Sequence, residues 1–476
     1  MEKMKFLHTL YALLTLSLYI HTPIIFANNS PQSDSTTSIL DVSSSLQRTL
    51  QLVLSSDSDR QQGTVKRHGR SSLNLSTISL SLHPRSSLHK PLHKDYAALT
   101  LSRLNRDSTR LQSIYSSLQF NNPKSFQTPL TSGVRLGSGE YFCRIGIGTP
   151  PRDYYMVIDT GSDVNWLQCK SCVNCYQQTD PIFDPINSSS YRQLSCGSTQ
   201  CLALQVSACR VNSCLYQVSY GDGSFTVGNF ATETLLFGKS SIPNVPIGCG
   251  HNNQGLFVSA AGIIGLGGGT LSLPSQLKAK SFSYCLVDRD SSGSSTLEFN
   301  SVTPVDSVFA PLIRNPKTRT YTYIGLTGIS VGARPVTIPP TVFKIDNTGR
   351  GGTIIDCGTA VTRLQVGAYN PVRDAFRQLT QNLTSADGVS IFDTCYDFSS
   401  TPTVIVPTVW LVFEGGKILR LKPDNYLVPV NSGGKFCFAF APTDRPLSIL
   451  GNIQQQGTRV SYDLVNSVIG FSPNKC

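Results

Sequence analysis

The chain has 476 residues, 14 of them cysteine, and a formal net charge of +11. The charge does not mark a nucleic-acid binder: residues 28–130 alone hold 12 Lys and Arg against 6 Asp and Glu, and no basic stretch is interleaved with aromatics as a stacking surface would be. Beyond the N-terminal apolar run no stretch is long enough to cross a bilayer, which argues against a membrane span.

Residues 1–27 open with Lys3 and Lys5, run through Leu10–Leu14 and end near Ala27 before a polar stretch, the layout of a secretory signal peptide. Residues 28–94 are rich in Ser, Thr, Gln and Asn around a basic knot at Lys66–Arg70, and are expected to be poorly ordered because little of them can be buried. From Asp95 to Leu118 the pattern changes to helical periodicity, with Leu99, Leu104, Leu111 and Ile114 interleaved with Arg103, Arg106 and Arg110. Asn-x-Ser/Thr acceptors stand at Asn28, Asn74, Asn187 and Asn382.

A β-rich region begins at Gly139, with short runs separated by Gly, Pro, Asn and Ser; the clearest helix is expected over Asn370–Thr380. The fold class is mainly β. All cysteines lie from Cys143 onward, an even number behind a secretory leader, so disulfides in an oxidising compartment are expected. Seven crowd between Cys169 and Cys214; Cys169, Cys172 and Cys175 have knuckle-like spacing, but disulfides are the expected state and no metal is. Connectivity stays open at this level.

The chemistry centres on one pattern that occurs twice. Val157-Ile158-Asp159-Thr160-Gly161-Ser162 ends an apolar run in a carboxylate held by a tight loop, and Ile354-Ile355-Asp356-Cys357-Gly358-Thr359 repeats it. Each is followed at similar distance by an apolar-apolar-Gly strand, Gly262–Gly265 and Ser448–Gly451. A duplicated lobe is implied, with two carboxylates brought face to face.

These motifs resemble the pepsin-like (A1) aspartic endopeptidase family, in particular its cysteine-rich plant, nepenthesin-like branch; the run Asp356–Leu364 is similar to that of plant guard-cell aspartic proteases. The resemblance covers about residues 138–476. It implies a bilobal fold with pseudo-two-fold related lobes (138–330, with a cysteine-rich insertion, and 331–476), a prosegment over 28–137 cut between Phe120 and Gly139, polypeptide substrates and no cofactor. Asp159 and Asp356 would be the catalytic pair, with Ser162 and Thr359 bonding their outer oxygens, Gly161 and Gly358 allowing close approach, and Thr160 bracing the opposite loop. Cys357 departs from the usual hydroxyl, and as a weak donor it is expected to loosen that brace. Tyr220 and Gly221 would belong to a flap over the substrate, with Trp166 bonding the tyrosine. The disulfides implied are Cys169–Cys172, Cys175–Cys249, Cys196–Cys214, Cys201–Cys209, Cys285–Cys476 and Cys395–Cys437, leaving Cys143 and Cys357.

The 95–118 helix, laid over two carboxylates, would inhibit while they are ionised and loosen in acid. The expected protein is a secreted, monomeric, acid-active protease made as a zymogen, in the apoplast or else the vacuole or endoplasmic reticulum. The chain end, Ser472–Cys476, carries no retention motif or apolar tail. Two rivals are a non-catalytic binding protein or inhibitor on the same fold, and a nucleic-acid-binding protease.

Overall fold

Strand Arg152–Asp159 delivers the first carboxylate because its apolar end is sandwiched on both sides. It pairs antiparallel with Tyr141–Ile147 and parallel with Gly262–Gly265, in a register that sets Gly265 opposite Asp159. After its turn the chain returns as Trp166–Gln168, antiparallel to the far side of Gly262–Gly265. The second half repeats this arrangement: Thr353–Ile355 runs parallel to Ser448–Leu450, and Thr362–Gln365 returns antiparallel to it, with Arg363 opposite Ile449 as Trp166 is opposite Ile263. The glycine ending each central strand answers to space. A Cβ on Gly265 would sit 2.5 Å from the Asp163 backbone, and one on Gly451 2.6 Å from the Ala360 carbonyl oxygen.

The structure, a computed structural model, describes residues 35–54, 77–88, 95–119, 141–220, 224–255, 257, 259–291 and 293–476. The signal-peptide stretch, the knot at Lys66–Arg70, the acceptors Asn28 and Asn74, the cut region at 120–139 and Gly221 all lie outside them. Asn187 and Asn382 are exposed. Among the described residues no helix is long and apolar enough to cross a membrane.

The architecture is mainly β, in two lobes, as expected. Strands Ser281–Cys285 and Thr458–Asp463 pair across the halves, and Phe282 stacks on Tyr462 with ring centres 4.2 Å apart. The helix placed at Asn370–Thr380 spans Val366–Leu379; Pro371 lies inside it, and the buried face of Ala368, Tyr369, Val372 and Phe376 carries the helix through.

Expected disorder over 28–94 is corrected in part. Thr37–Asp41 pairs antiparallel with Thr403–Pro407 and leads into helix Val42–Leu54. Ile78–Pro84 inserts between Ser295–Phe299 and Tyr141–Ile147. Its alternation of Ile78, Leu80 and Leu82 with serine is a half-buried strand pattern; neighbouring strands pair its edges and the main hydrophobic core takes its apolar face.

The disulfide framework also differs from the implied pairing. Cys285–Cys476 and Cys395–Cys437 are present; the other eight cysteines pair as Cys169–Cys249, Cys172–Cys175, Cys196–Cys209 and Cys201–Cys214. Register is the reason. Trp166–Gln168 runs parallel to Gly248–Gly250, which brings the Cys169 and Cys249 Cα atoms to 5.3 Å and excludes Cys172 from that partner. Cys209 and Cys214 face each other on a hairpin but bond outward, Cys209 to Cys196 and Cys214 to Cys201. The knuckle-spaced thiols are therefore all oxidised. Cys143 and Cys357 are free and buried.

Candidate active site

Asp159 and Asp356 emerge from the two strand ends into one buried pocket, at 1 % and 0 % exposure. Each carboxylate is fixed by its own loop. Asp159 accepts from the Gly161 N–H at 2.8 Å and the Ser162 hydroxyl at 2.7 Å; Asp356 accepts from the Gly358 N–H at 3.2 Å and the Thr359 hydroxyl at 2.5 Å. The turn geometry makes this automatic, since a residue two or three past an Asp is where its oxygens can capture a donor.

The loops also brace each other. Cys357 N–H donates to the Thr160 hydroxyl at 2.9 Å, and that hydroxyl donates to Asp356 at 3.2 Å. The reciprocal contact is the weak one: the Cys357 thiol approaches the Ile158 carbonyl at 3.8 Å. Burial, then the charges of Asp356 and Asp159, push that thiol up to about 12, so it stays protonated.

Trp166 is fully buried and donates from Nε1 to the Tyr220 hydroxyl at 2.9 Å. Phe257 packs edge-on against both rings, at 5.0 and 5.3 Å between centres. Tyr220 stands at the tip end of the hairpin formed by Ser213–Ser219 and Phe225–Phe237, with its N–H on the Ser224 carbonyl.

Across the pocket lies helix Tyr96–Gln119. Arg110 from this helix reaches both aspartates with one guanidinium: Nε donates to Asp356 Oδ2 and Nη2 to Asp356 Oδ1, both at 2.9 Å, while Nη2 also meets Asp159 Oδ1 and Nη1 lies 3.4 Å from Asp159 Oδ2. Gly161 and Gly358 leave the space for it, since a Cβ on either would collide with the guanidinium. Burial opposes ionisation of Asp356, but Arg110's charge and hydrogen bonds and the Thr359 hydroxyl outweigh it and hold the carboxyl below its usual range. The two carboxylates in turn hold Arg110 well above its ordinary value, against the effect of burial.

The cationic face expected of this helix divides. Arg103 pairs with Asp290 at 2.7 Å, Arg106 donates to Ser102 within the helix, and Arg110 alone meets the aspartate pair. One turn before it, Asp107 accepts from Ala360 N–H at 2.5 Å, Val361 N–H at 3.2 Å and Arg363 Nη2 at 2.6 Å. Asp107 and Arg363 were not singled out in the sequence. The signal available for Arg363 was symmetry, because it stands seven residues past Asp356 as Trp166 stands seven past Asp159.

Two strand-turn-strand loops that face each other, each presenting a carboxylate steadied by a hydroxyl three residues on, define the class of bilobal aspartic proteases. Comparison with known proteins agrees. Residues 141–300 match the family model described as Xylanase inhibitor N-terminal, and 321–473 the one described as Xylanase inhibitor C-terminal. The protein ASPARTIC PROTEASE IN GUARD CELL 2 of Arabidopsis thaliana is 45 % identical over 84 % of this chain and 88 % of its own. Aspartic proteinase nepenthesin-1 of Nepenthes gracilis is 42 % identical over 78 % and 85 %. The crystal structure of edgp superposes with a TM-score of 0.62 at 19 % identity, covering 85 % of this chain and 96 % of that one. The chain belongs to the pepsin-like (A1) aspartic protease family, among its plant members, and is an aspartic-type endopeptidase.

Proposed function

We propose that Asp159 and Asp356 are the catalytic pair of a secreted, acid-active endopeptidase made as a zymogen, and that residues 28–137 are its inhibitory prosegment, ahead of lobes over 138–330 and 331–476. The observation that carries the reading is Arg110, whose guanidinium occupies the place a scissile peptide and its attacking water would need. Two adjacent carboxylates cannot both ionise easily, so in acid they share a proton. The ionised partner draws a proton from a water held between them as that water attacks the scissile carbonyl, and the protonated partner donates to the carbonyl oxygen. Ser162 and Thr359 keep the outer oxygens oriented. Tyr220, held by Trp166, covers the substrate and excludes water.

Six disulfides favour an oxidising compartment, and with the leader they support the secretory route, the apoplast first. Substrates are polypeptides, and the working form is a monomer. The test is cleavage of a denatured protein by the acid-treated full chain across pH 3 to 7, with pepstatin and with Asp159→Asn and Asp356→Asn. Acid-dependent, pepstatin-blocked cleavage absent from both variants is expected. A correctly folded, processed protein that cleaves nothing at any pH would transfer the reading to a binding protein or inhibitor, as the names of the matching family models suggest for other members.

A further inference from the structure

Removing helix Tyr96–Gln119 would leave a second set of groups in the cleft that is already built around a carboxylate. Arg363 Nη2 and the backbone N–H groups of Ala360 and Val361 converge on the two oxygens of Asp107. Arg363 is 2 % exposed, and among the described residues Asp107 is the acidic group that it pairs with; its Nη1 has no hydrogen-bond partner. A buried guanidinium that loses its one counter-ion is strongly destabilised unless another anion or water takes the place. Its planar fork is suited to a carboxylate, and the unused Nη1 is a donor left for a second contact.

Position ties these groups to the substrate path. Arg363 lies opposite Ile449 in its lobe as Trp166 lies opposite Ile263 in the other, so the two are pseudo-symmetric neighbours of the two aspartates. Trp166 serves the flap, and Arg363 serves the residue laid against the second lobe. Asp107 and Arg110 are three residues apart on one helix, about 4.5 Å along its axis. An extended peptide advances about 3.3 Å per residue, so a carboxylate in the Asp107 position comes from a residue close to the scissile bond. One turn further out, Leu104 belongs to a buried apolar cluster with Val361, Phe392, Val428, Val430 and Ile453.

We propose that Arg363, with the N–H groups of Ala360 and Val361, forms a substrate subsite selective for an acidic side chain, Asp or Glu, two or three residues from the scissile bond. The inference rests on the protease and zymogen reading above. The helix holds the cleft closed by presenting to this subsite the group that the substrate later presents.

The test uses the processed enzyme and pairs of fluorogenic peptides that differ only by Glu or Gln, placed in turn at the second and third positions on either side of the cut. Assay at about pH 5 keeps most of the peptide Glu ionised. At one position the Glu-to-Gln ratio of kcat/KM is expected to be roughly tenfold, below the full cost of breaking a buried charge pair because an open cleft is partly hydrated. The ratio should collapse toward unity in Arg363→Gln, chiefly through KM, and fall part of the way in Arg363→Lys, which keeps the charge and loses the fork. Each ratio is taken within one preparation, so it does not depend on how much variant folds. A wild-type ratio near unity at every position, or a preference that survives in Arg363→Gln, would overturn the subsite while leaving the protease reading intact. A wild-type enzyme that cuts neither these peptides nor denatured protein would refute that reading, and with it any substrate subsite.

Discussion

Replacing Arg110 by Met in the full chain removes the one cation that, among the described residues, spans both aspartates, while keeping most of the side chain's apolar bulk. Breaking a buried ion pair by deleting one partner costs about 3–5 kcal/mol where the survivor stays charged. Here the survivors can relax by sharing a proton and taking up water, so the loss of helix docking is smaller, about 2–3 kcal/mol. That is roughly a 30- to 150-fold shift toward the open cleft, at about 1.4 kcal/mol per tenfold. The sign of the pH dependence follows from the shifts. Docking holds Asp356 below its usual range, so this contribution is complete above the ordinary carboxylate value, about pH 4, and is lost as pH falls through the lowered value. Asp107 works the other way: burial, only partly offset by Arg363 and two N–H groups, raises its value, so its contribution is fullest in acid and fades as pH rises. Acid release therefore depends on the aspartate pair prevailing over Asp107. The Arg110→Met chain should begin processing at higher pH than the wild type, with a shallower dependence, and Arg110→Lys should fall between. The assay is peptide turnover and chain length on a gel after brief incubation from pH 3 to 7. An unchanged activation midpoint in Arg110→Met would refute the reasoning and leave the strand pairing of Ile78–Pro84 and the seating of Leu104 as the hold on the helix.

Two further outcomes follow from the loop between the aspartates. Cys357→Ser replaces a 3.8 Å thiol contact with a hydroxyl able to bond the Ile158 carbonyl, and should stabilise the processed enzyme by about 0.5–1.5 kcal/mol, read as a higher Tm; a lower one would mean that sulfur packing matters more than the bond. Cys143 and Cys357, both buried and both pushed up to about 12, should resist a thiol reagent in the native protein and react as two groups once it is unfolded without reductant.

The facing aspartates were legible because duplication leaves a mark that chance does not: an apolar run, Asp, a small residue, Gly and a hydroxyl, twice, with each central strand in tow. Trp166 and Tyr220 came from the resemblance, and the 2.9 Å bond between them is the contact it implied. The pairing of Cys169 and Cys249 was not legible, because it depends on which strand lies beside Trp166–Gln168, a non-local fact. Ile78–Pro84 was missed for a related reason: serine at alternate positions reads as polar until the core closes over its apolar face. Arg363 escaped because an arginine in a short mixed strand looks like a surface residue, and the acid that neutralises it lies 256 positions away.

Strand Ile78–Pro84 is hydrogen-bonded on both edges, to Ser295–Phe299 and to Tyr141–Ile147. A chain begun at residue 138 would assemble with a slot in the middle of this sheet and two unpaired edges facing it, a ready template for intermolecular stacking. On this argument the leading segment would serve as an assembly jig. Recombinant production that omits it should give inclusion bodies or soluble aggregates, and supplying residues 77–88 as a separate peptide during refolding should rescue part of the yield.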